Sequence, residues 1–185
     1  MRTQSVVHIV GKGGFAREVA TYLGAQNIKA DMVLSSEAEK PKQYAVCIGD
    51  PVARERICME LVRGGMLDTS VYCFSRYAFD YSAAYGTIIC PGAVLTTNVK
   101  LGRCVIVNLN CTVGHDAVIG DFCTLSPGVH VSGNVKIGNC CYIGSGAVIR
   151  EGITICDGVT IGAGAVVLND ITDPGIYVGV PAMKK

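Results

Sequence analysis

Three histidines stand in the 185-residue chain, and His115 invites a chemical reading first because Asp116 follows it directly. Imidazole has an ordinary pKa of about 6.5, so its neutral form is available near pH 7 to take a proton from an attacking amine or hydroxyl. A carboxylate beside it can fix the ring tautomer or stabilise the imidazolium that forms. Sequence neighbours need not touch, and on the residues alone a solvated surface histidine fits His115 as well. A zinc centre of three histidines is disfavoured, since His115 and His130 lie fifteen residues apart and His8 is remote from both. His8 alternates with Val7 and Ile9 and reads as a strand-packing residue, while His130 reads as surface. No metal is expected.

A second feature with chemical potential is Gly11-Lys12-Gly13-Gly14, placed just after the apolar run Val6 to Val10. Backbone N–H groups at the start of a helix attract phosphate. A tight strand-to-helix turn also needs glycine on steric grounds, so the loop alone does not decide between the two. Its spacing is not the full dinucleotide fingerprint, which argues against NAD.

The elements that hold these residues follow two patterns. From Gly86 to Asn169 the chain divides into fourteen consecutive blocks of six, among them NVKLGR, NCTVGH, DAVIGD and GVHVSG. The fourth residue of every block is Ile, Leu or Val, from Ile89 to Val167. A period of six is neither a helix face nor simple strand alternation; it suits a coil of three short strands. Residues eighteen apart then stack, as in the column Leu101, Ile119, Ile137 and Ile155. Successive coils sit roughly 4.8 Å apart as parallel strands, and the stack buries what one coil cannot. Fourteen blocks make nearly five coils. The fifth position, often glycine as at Gly102, Gly114 and Gly120, is expected to supply the corner dihedrals. His115 is sixth in its block, which puts it at a corner outside the aliphatic core.

Before the repeats the pattern is strand, glycine loop, helix, strand. A helix is expected from Phe15 to Ala25, strands over Asp31 to Leu34 and Tyr44 to Ile48, and a second helix over Pro51 to Arg63 with Ile57, Leu61 and Val62 inward. This is the opening of a doubly wound α/β fold, in which ligands sit beyond the carboxyl ends of the strands. The expected organisation is an α/β, Rossmann-like domain over residues 1–75 and a parallel β-helix over residues 76–185.

Composition narrows the function classes. Hydrophobic residues make up 50% and charged ones 17% of the chain, which fits a packed protein and not a disordered one. A net charge of +1 leaves no basic excess for a phosphate backbone, so nucleic acid is not an expected partner. Val6 to Val10 is too short for a signal-peptide core or a membrane span, so no membrane association and a cytoplasmic location are expected. Of the ten cysteines, Cys111, Cys123 and Cys141 share one repeat position otherwise filled by Ala, Val, Thr or Ile, and read as small buried hydrophobes.

The motifs VGKGGFAREV, NLNCTVGHDAVIGDF and GIYVGVPA, joined by unbroken hexapeptides, resemble those of the bacterial sugar acetyltransferases. That family includes sialic-acid O-acetyltransferases and N-acetyltransferases for nucleotide-linked 4-amino-sugars. The resemblance spans nearly the whole chain and is densest from Asn108 to Ala182. It implies a left-handed coil, where the general rule for parallel crossovers favours the right hand.

The resemblance further implies a homotrimer with acetyl-CoA lying between neighbouring β-helices, and His115 as general base with Asp116 beside it. Asn108 resembles a position facing the substrate. By the same analogy Gly133 opposes charge on the thioester oxygen, and Gly144, Ser145, Ala163 and Gly164 line the pantetheine arm. Lys184 and Lys185 are placed to meet the CoA phosphates or to fray as a basic tail. Gly11, Lys12, Gly13, Gly14 and Ser35 would hold the nucleotide of a 4-amino-4,6-dideoxy sugar, although Ser35-Ser36 replaces the acidic pair of family members that bind one. The reaction implied is N-acetylation of that sugar. O-acetylation of a free sugar such as sialic acid, or a non-catalytic trimeric scaffold, remain the alternatives.

Overall fold

The computed structural model describes residues 6–33, 43–65 and 70–185. The chain divides into two compact units, Met1–Ser70 and Val71–Lys185. The division falls five residues before the expected one, because Tyr72-Cys73 already pairs in parallel with Ile88-Ile89.

In the first unit β1 (Val6–Val10) lies between β2 (Lys29–Val33) and β3 (Gln43–Val46), all parallel. Helix α1 (Gly14–Ala25) connects β1 to β2, and α2 (Pro51–Arg63) follows β3. A largely apolar run such as VVHIV, broken only by His8, suits the middle strand of a parallel sheet. Helix α1 begins beyond the carboxyl end of β1 and α2 beyond that of β3, the side on which open parallel sheets usually bind ligands. Helix α1 buries Ala16, Val19 and Leu23, as its spacing predicts. Helix α2 starts at Asp50, whose carboxylate accepts from the Ala53 N–H at 2.6 Å.

The inward stripe of α2 differs from expectation. Pro51, Arg54, Cys58 and Leu61 are buried, whereas Ile57 and Val62 are half-exposed. Apolar periodicity overlooked Arg54 because a guanidinium is not apolar. It can turn inward because its Nη1 donates to the Ile48 and Gly49 carbonyls, at 2.5 and 3.2 Å.

The second unit is a parallel β-helix. Strands of two to four residues stack into three sheets, and the second face carries six strands, from Tyr77–Ala78 to Val166–Val167. There are thus about six coils where the blocks suggest nearly five. The first coil escapes the six-residue pattern because its strands stand sixteen, seventeen and eighteen residues before their partners: Tyr72 against Ile88, Tyr77 against Val94, Tyr81 against Val99. The fourth residues of all fourteen blocks are buried in one core, joined by second-position residues including Cys111, Cys123 and Cys141 at 0% exposure. Burial pushes the Cys111 thiol up to about 11, so it stays protonated and packs as an apolar group. The column Leu101, Ile119, Ile137, Ile155 forms in register.

The corner chemistry is a correction. Left-handed dihedrals occur at the first position of every block, with φ between +51° and +75°, and not at the fifth. Seven of those fourteen positions are not glycine, and three of the seven are Asn. The fifth-position glycines answer a different constraint. A Cβ on Gly114 would lie 2.6 Å from the Gly133 nitrogen one coil on, and one on Gly144 would lie 2.6 Å from that of Ala163. They let neighbouring backbones approach. Among the described residues no helix is long and apolar enough to cross a membrane.

Candidate active site

His115 sits at the corner between the second and third faces, just after the inward Val113 and Gly114. Its own carbonyl accepts from the Asn134 N–H at 2.8 Å, and the Asp116 N–H donates to the Thr97 carbonyl at 2.9 Å. The backbone is therefore held by the coils on both sides, while the ring stays exposed, 60% of its side chain reaching solvent. Asp116 takes φ +60°, the conformation shared by all first positions, and this turns its carboxylate toward the preceding residue. His115 Nδ1 and Asp116 Oδ2 are 2.9 Å apart.

The other carboxylate oxygen, Oδ1, accepts from Asn98 Nδ2 at 2.8 Å. Asn98 is exactly one coil earlier at the same corner, and its backbone N–H donates to Asp80 Oδ2 at 2.9 Å. The hydrogen bond from Asn98, and next that from His115, holds the Asp116 carboxyl below the usual carboxylate range. An ionised carboxylate only accepts, so the proton of the neutral ring lies on Nδ1 and the Nε2 lone pair is available as a base. Across the ring lies Gly133: a Cβ there would overlap Nε2 and come within 2.7 Å of Cε1 and 2.9 Å of Cδ2. A bare backbone is what lets the imidazole lie along the corner.

Asn108, Gly144, Ser145, Ala163 and Gly164 occupy a different edge, the corner between the first and second faces. Gly164 N donates to the Ser145 carbonyl at 2.8 Å, so these residues stack in successive coils. Asn108 Oδ1 accepts from the Leu109 N–H at 2.8 Å, closing a local turn. One chain thus brings together His115, Asp116 and Gly133 on one edge and lines up the remaining β-helix candidates on the next.

In the first unit, the loop Gly11 to Gly13 lies at the carboxyl end of β1 and leads into α1. Gly11 needs its glycine, having φ +131° and a Cβ position 3.0 Å from the Cys47 carbonyl oxygen. Gly13 has open space around it and is the N-cap of α1, with no side-chain cap and no acidic residue in the first turn. Lys12 is exposed, and its carbonyl accepts from Arg17 Nη1 at 3.3 Å, so two cations flank the positive end of the helix. Ser35 lies outside the described residues.

The profile described as Bacterial transferase hexapeptide (six repeats) matches residues 116–151 and 134–169. The matched residues all lie within the six-residue repeats of the second unit. A curated relative, the GDP-perosamine N-acetyltransferase of Escherichia coli O157:H7, is 33% identical over 95 residues. That match covers 51% of this chain and 43% of the relative, so it spans less than half of the curated protein. Similar solved structures extend over nearly the whole chain. The acetyltransferase domain of PglB from Neisseria gonorrhoeae FA1090, in complex with acetyl coenzyme A, superposes with a TM-score of 0.84 at 26% identity. That comparison covers 99% of this chain and 100% of the other. PerB from Caulobacter crescentus, in complex with CoA and GDP-perosamine, gives a TM-score of 0.86 at 25% identity, covering 98% and 97% of the two chains.

The remaining candidates resolve simply. His8 packs its ring on Tyr44, with centroids 5.6 Å apart. His130 is exposed on the second face, with Nδ1 2.8 Å from Thr112 Oγ1. The Lys184-Lys185 segment is not a frayed tail, since Met183–Lys184 pairs antiparallel with Gly175–Val178 and the Lys185 N–H donates to the Ile176 carbonyl. Among the described residues no three His, Cys, Asp or Glu side chains cluster to hold a metal. Sequence reading missed Asn98 and Asp80. The stacking rule of eighteen residues was the signal that could have found Asn98, which stands eighteen before Asp116.

Proposed function

We propose that this protein transfers the acetyl group of acetyl-CoA to the amino group of a nucleotide-linked 4-amino-4,6-dideoxy sugar. The observation that carries the reading is the His115–Asp116 pair, oriented with Nε2 available on an exposed corner against the bare backbone of Gly133. The amine nitrogen attacks the thioester carbonyl, and the proton it releases passes to His115 Nε2. The C–S bond then breaks, and the imidazolium returns the proton to the departing sulfur, giving CoA thiol and the amide. Asp116 stabilises the imidazolium between these steps. The backbone N–H of Gly133 is the proposed donor to the thioester oxygen as it gains charge. General base assistance is worth about 10²–10⁴-fold.

The relatives support the class of both substrates: a curated GDP-perosamine N-acetyltransferase and a structural neighbour holding CoA and GDP-perosamine. In this reading the first unit is a Rossmann-like nucleotide site. The uncapped start of α1 with Lys12 and Arg17 beside it favours a diphosphate at Gly11 to Gly14.

The assembly proposed is a homotrimer of left-handed β-helices acting in the cytoplasm. The base lies on one edge of the chain, and the residues proposed for pantetheine, Gly144, Ser145, Ala163 and Gly164, lie on the next. Two copies placed edge to edge would complete one site, with Asn108 facing the substrate from the second copy.

A thiol-release assay with acetyl-CoA and a panel of nucleotide-linked amino sugars tests the proposal. Turnover with a 4-amino sugar nucleotide, lost in His115→Ala, is the expected result. Turnover only with a free hydroxy sugar would assign O-acetylation instead, and no turnover with any acceptor would favour a scaffold.

A further inference from the structure

Resting on the assignment of His115 as base, we infer that Asn98 is a positioning residue which sets the His115 tautomer through Asp116. The argument begins with conformation. Asn98 takes φ +53° at the first position of its block, a place where the β-helix accepts Gly or Asn with little strain. Glycine alone would serve the corner, as Gly152 does at this same edge farther along. Asn98 therefore carries a carboxamide that the coil itself does not require.

That carboxamide is committed to Asp116. Its Nδ2 donates to Oδ1 at 2.8 Å, while Oδ2 of the same carboxylate stands 2.9 Å from His115 Nδ1. Asn98 is itself held from below, its N–H donating to Asp80 Oδ2 at 2.9 Å. Three successive coils thus contribute Asp80, Asn98 and Asp116 in a line that ends on the imidazole. The charged and titratable groups around Asp116 are His115, Lys100 and, through Asn98, Asp80. Without the Asn98 donor, the exposed carboxylate is free to rotate away from Nδ1. Neutral imidazole in water favours the proton on Nε2, and that form has no lone pair there to act as base. The pull of Asn98 on Asp116 is also the first cause of that group's depressed titration.

The direct test is ¹⁵N-histidine NMR of the full chain at pH 8, where the two ring nitrogens of each imidazole report its tautomer. Wild type should show His115 with its proton on Nδ1. Asn98→Gly keeps the corner conformation and the backbone bond to Asp80, and should move His115 predominantly to the Nε2–H form. Asn134→Gly, the equivalent position two coils on from Asn98, should leave the His115 tautomer as in wild type. In turnover, Asn98→Gly should lower kcat about tenfold, the scale of one hydrogen bond to a charged group. KM should stay within about twofold, because no substrate contact is lost. Asn98→Asp preserves shape but cannot donate when ionised, and should be no better.

An unchanged His115 tautomer in Asn98→Gly overturns the proposal, as does wild-type kcat in Asn98→Asp. A tautomer shift in a protein that acetylates nothing would instead overturn the function proposed above and leave the positioning role standing.

Discussion

His115 combines two properties that separate chemistry from stability. Its ring is largely exposed, while its backbone is fixed by bonds to Asn134 and from Asp116 to Thr97. Truncation to alanine leaves those backbone bonds intact. His115→Ala should therefore cut kcat by about 10²–10⁴-fold with an unchanged melting temperature, read by thiol release and calorimetry. Gly133→Ala tests the same corner from the other side. Its φ is compatible with alanine, but the added Cβ would overlap the imidazole. The ring must swing away, and kcat should fall while the fold persists. The pH profile follows from the two partners. Asp116 is depressed, so it loses its charge only well below neutrality and stays an acceptor throughout the working range. Thiol release followed against pH should therefore show no step from loss of the Asp116 charge at or above the usual carboxylate range. Such a step would show that the bonds from Asn98 and His115 do not hold the carboxylate ionised.

At the scale of the coil, two kinds of glycine stand two residues apart and fail for different reasons. Gly144 is a close approach: its Cβ would meet the Ala163 nitrogen at 2.6 Å, and backbone cannot give way as a side chain can. Gly146 has φ +68° with open space around it. Gly144→Ala should destabilise the β-helix by about 1–3 kcal/mol, the usual cost of overpacking. Gly146→Ala should cost about 1 kcal/mol of backbone strain. Gly146→Asn should cost less than Gly146→Ala, because Asn98, Asn110 and Asn134 already hold this conformation. Urea midpoints of the three variants check the order. Equal losses from both alanines would mean that one constraint governs both positions.

For the whole molecule, the spread of the proposed site over two edges has a measurable consequence. If base and pantetheine line meet only between copies, two inactive variants damaged on different edges should complement. His115→Ala mixed with Ser145→Arg, unfolded together and refolded, should regain a substantial fraction of activity, while each alone stays inactive. Light scattering on the wild type should report three chains. Full activity from a single chain, or no recovery in the mixture, would place the site within one copy. The relatives bound to acetyl coenzyme A or CoA make that ligand the one to include during refolding.

The six-residue period already determined the coil, the inward columns and the corner position of His115. An aliphatic at every fourth position is intelligible only if that side faces a common interior, and a buried core tolerates little else. The same logic placed Ala16, Val19 and Leu23 on the buried side of α1. Tertiary structure alone decided which side chains meet across coils. The first coil is offset by sixteen and seventeen residues, so its tyrosines carry no readable period. The inward turn of Arg54 depended on two loop carbonyls that no pattern announces. The partnership of Asn98 with Asp116 depended on register between coils, on a left-handed φ at both residues and on side-chain torsions. Burial leaves a trace in the periodicity of a sequence because it excludes most residue types. A polar contact on an exposed corner excludes few, and so it becomes visible only once the coils are stacked.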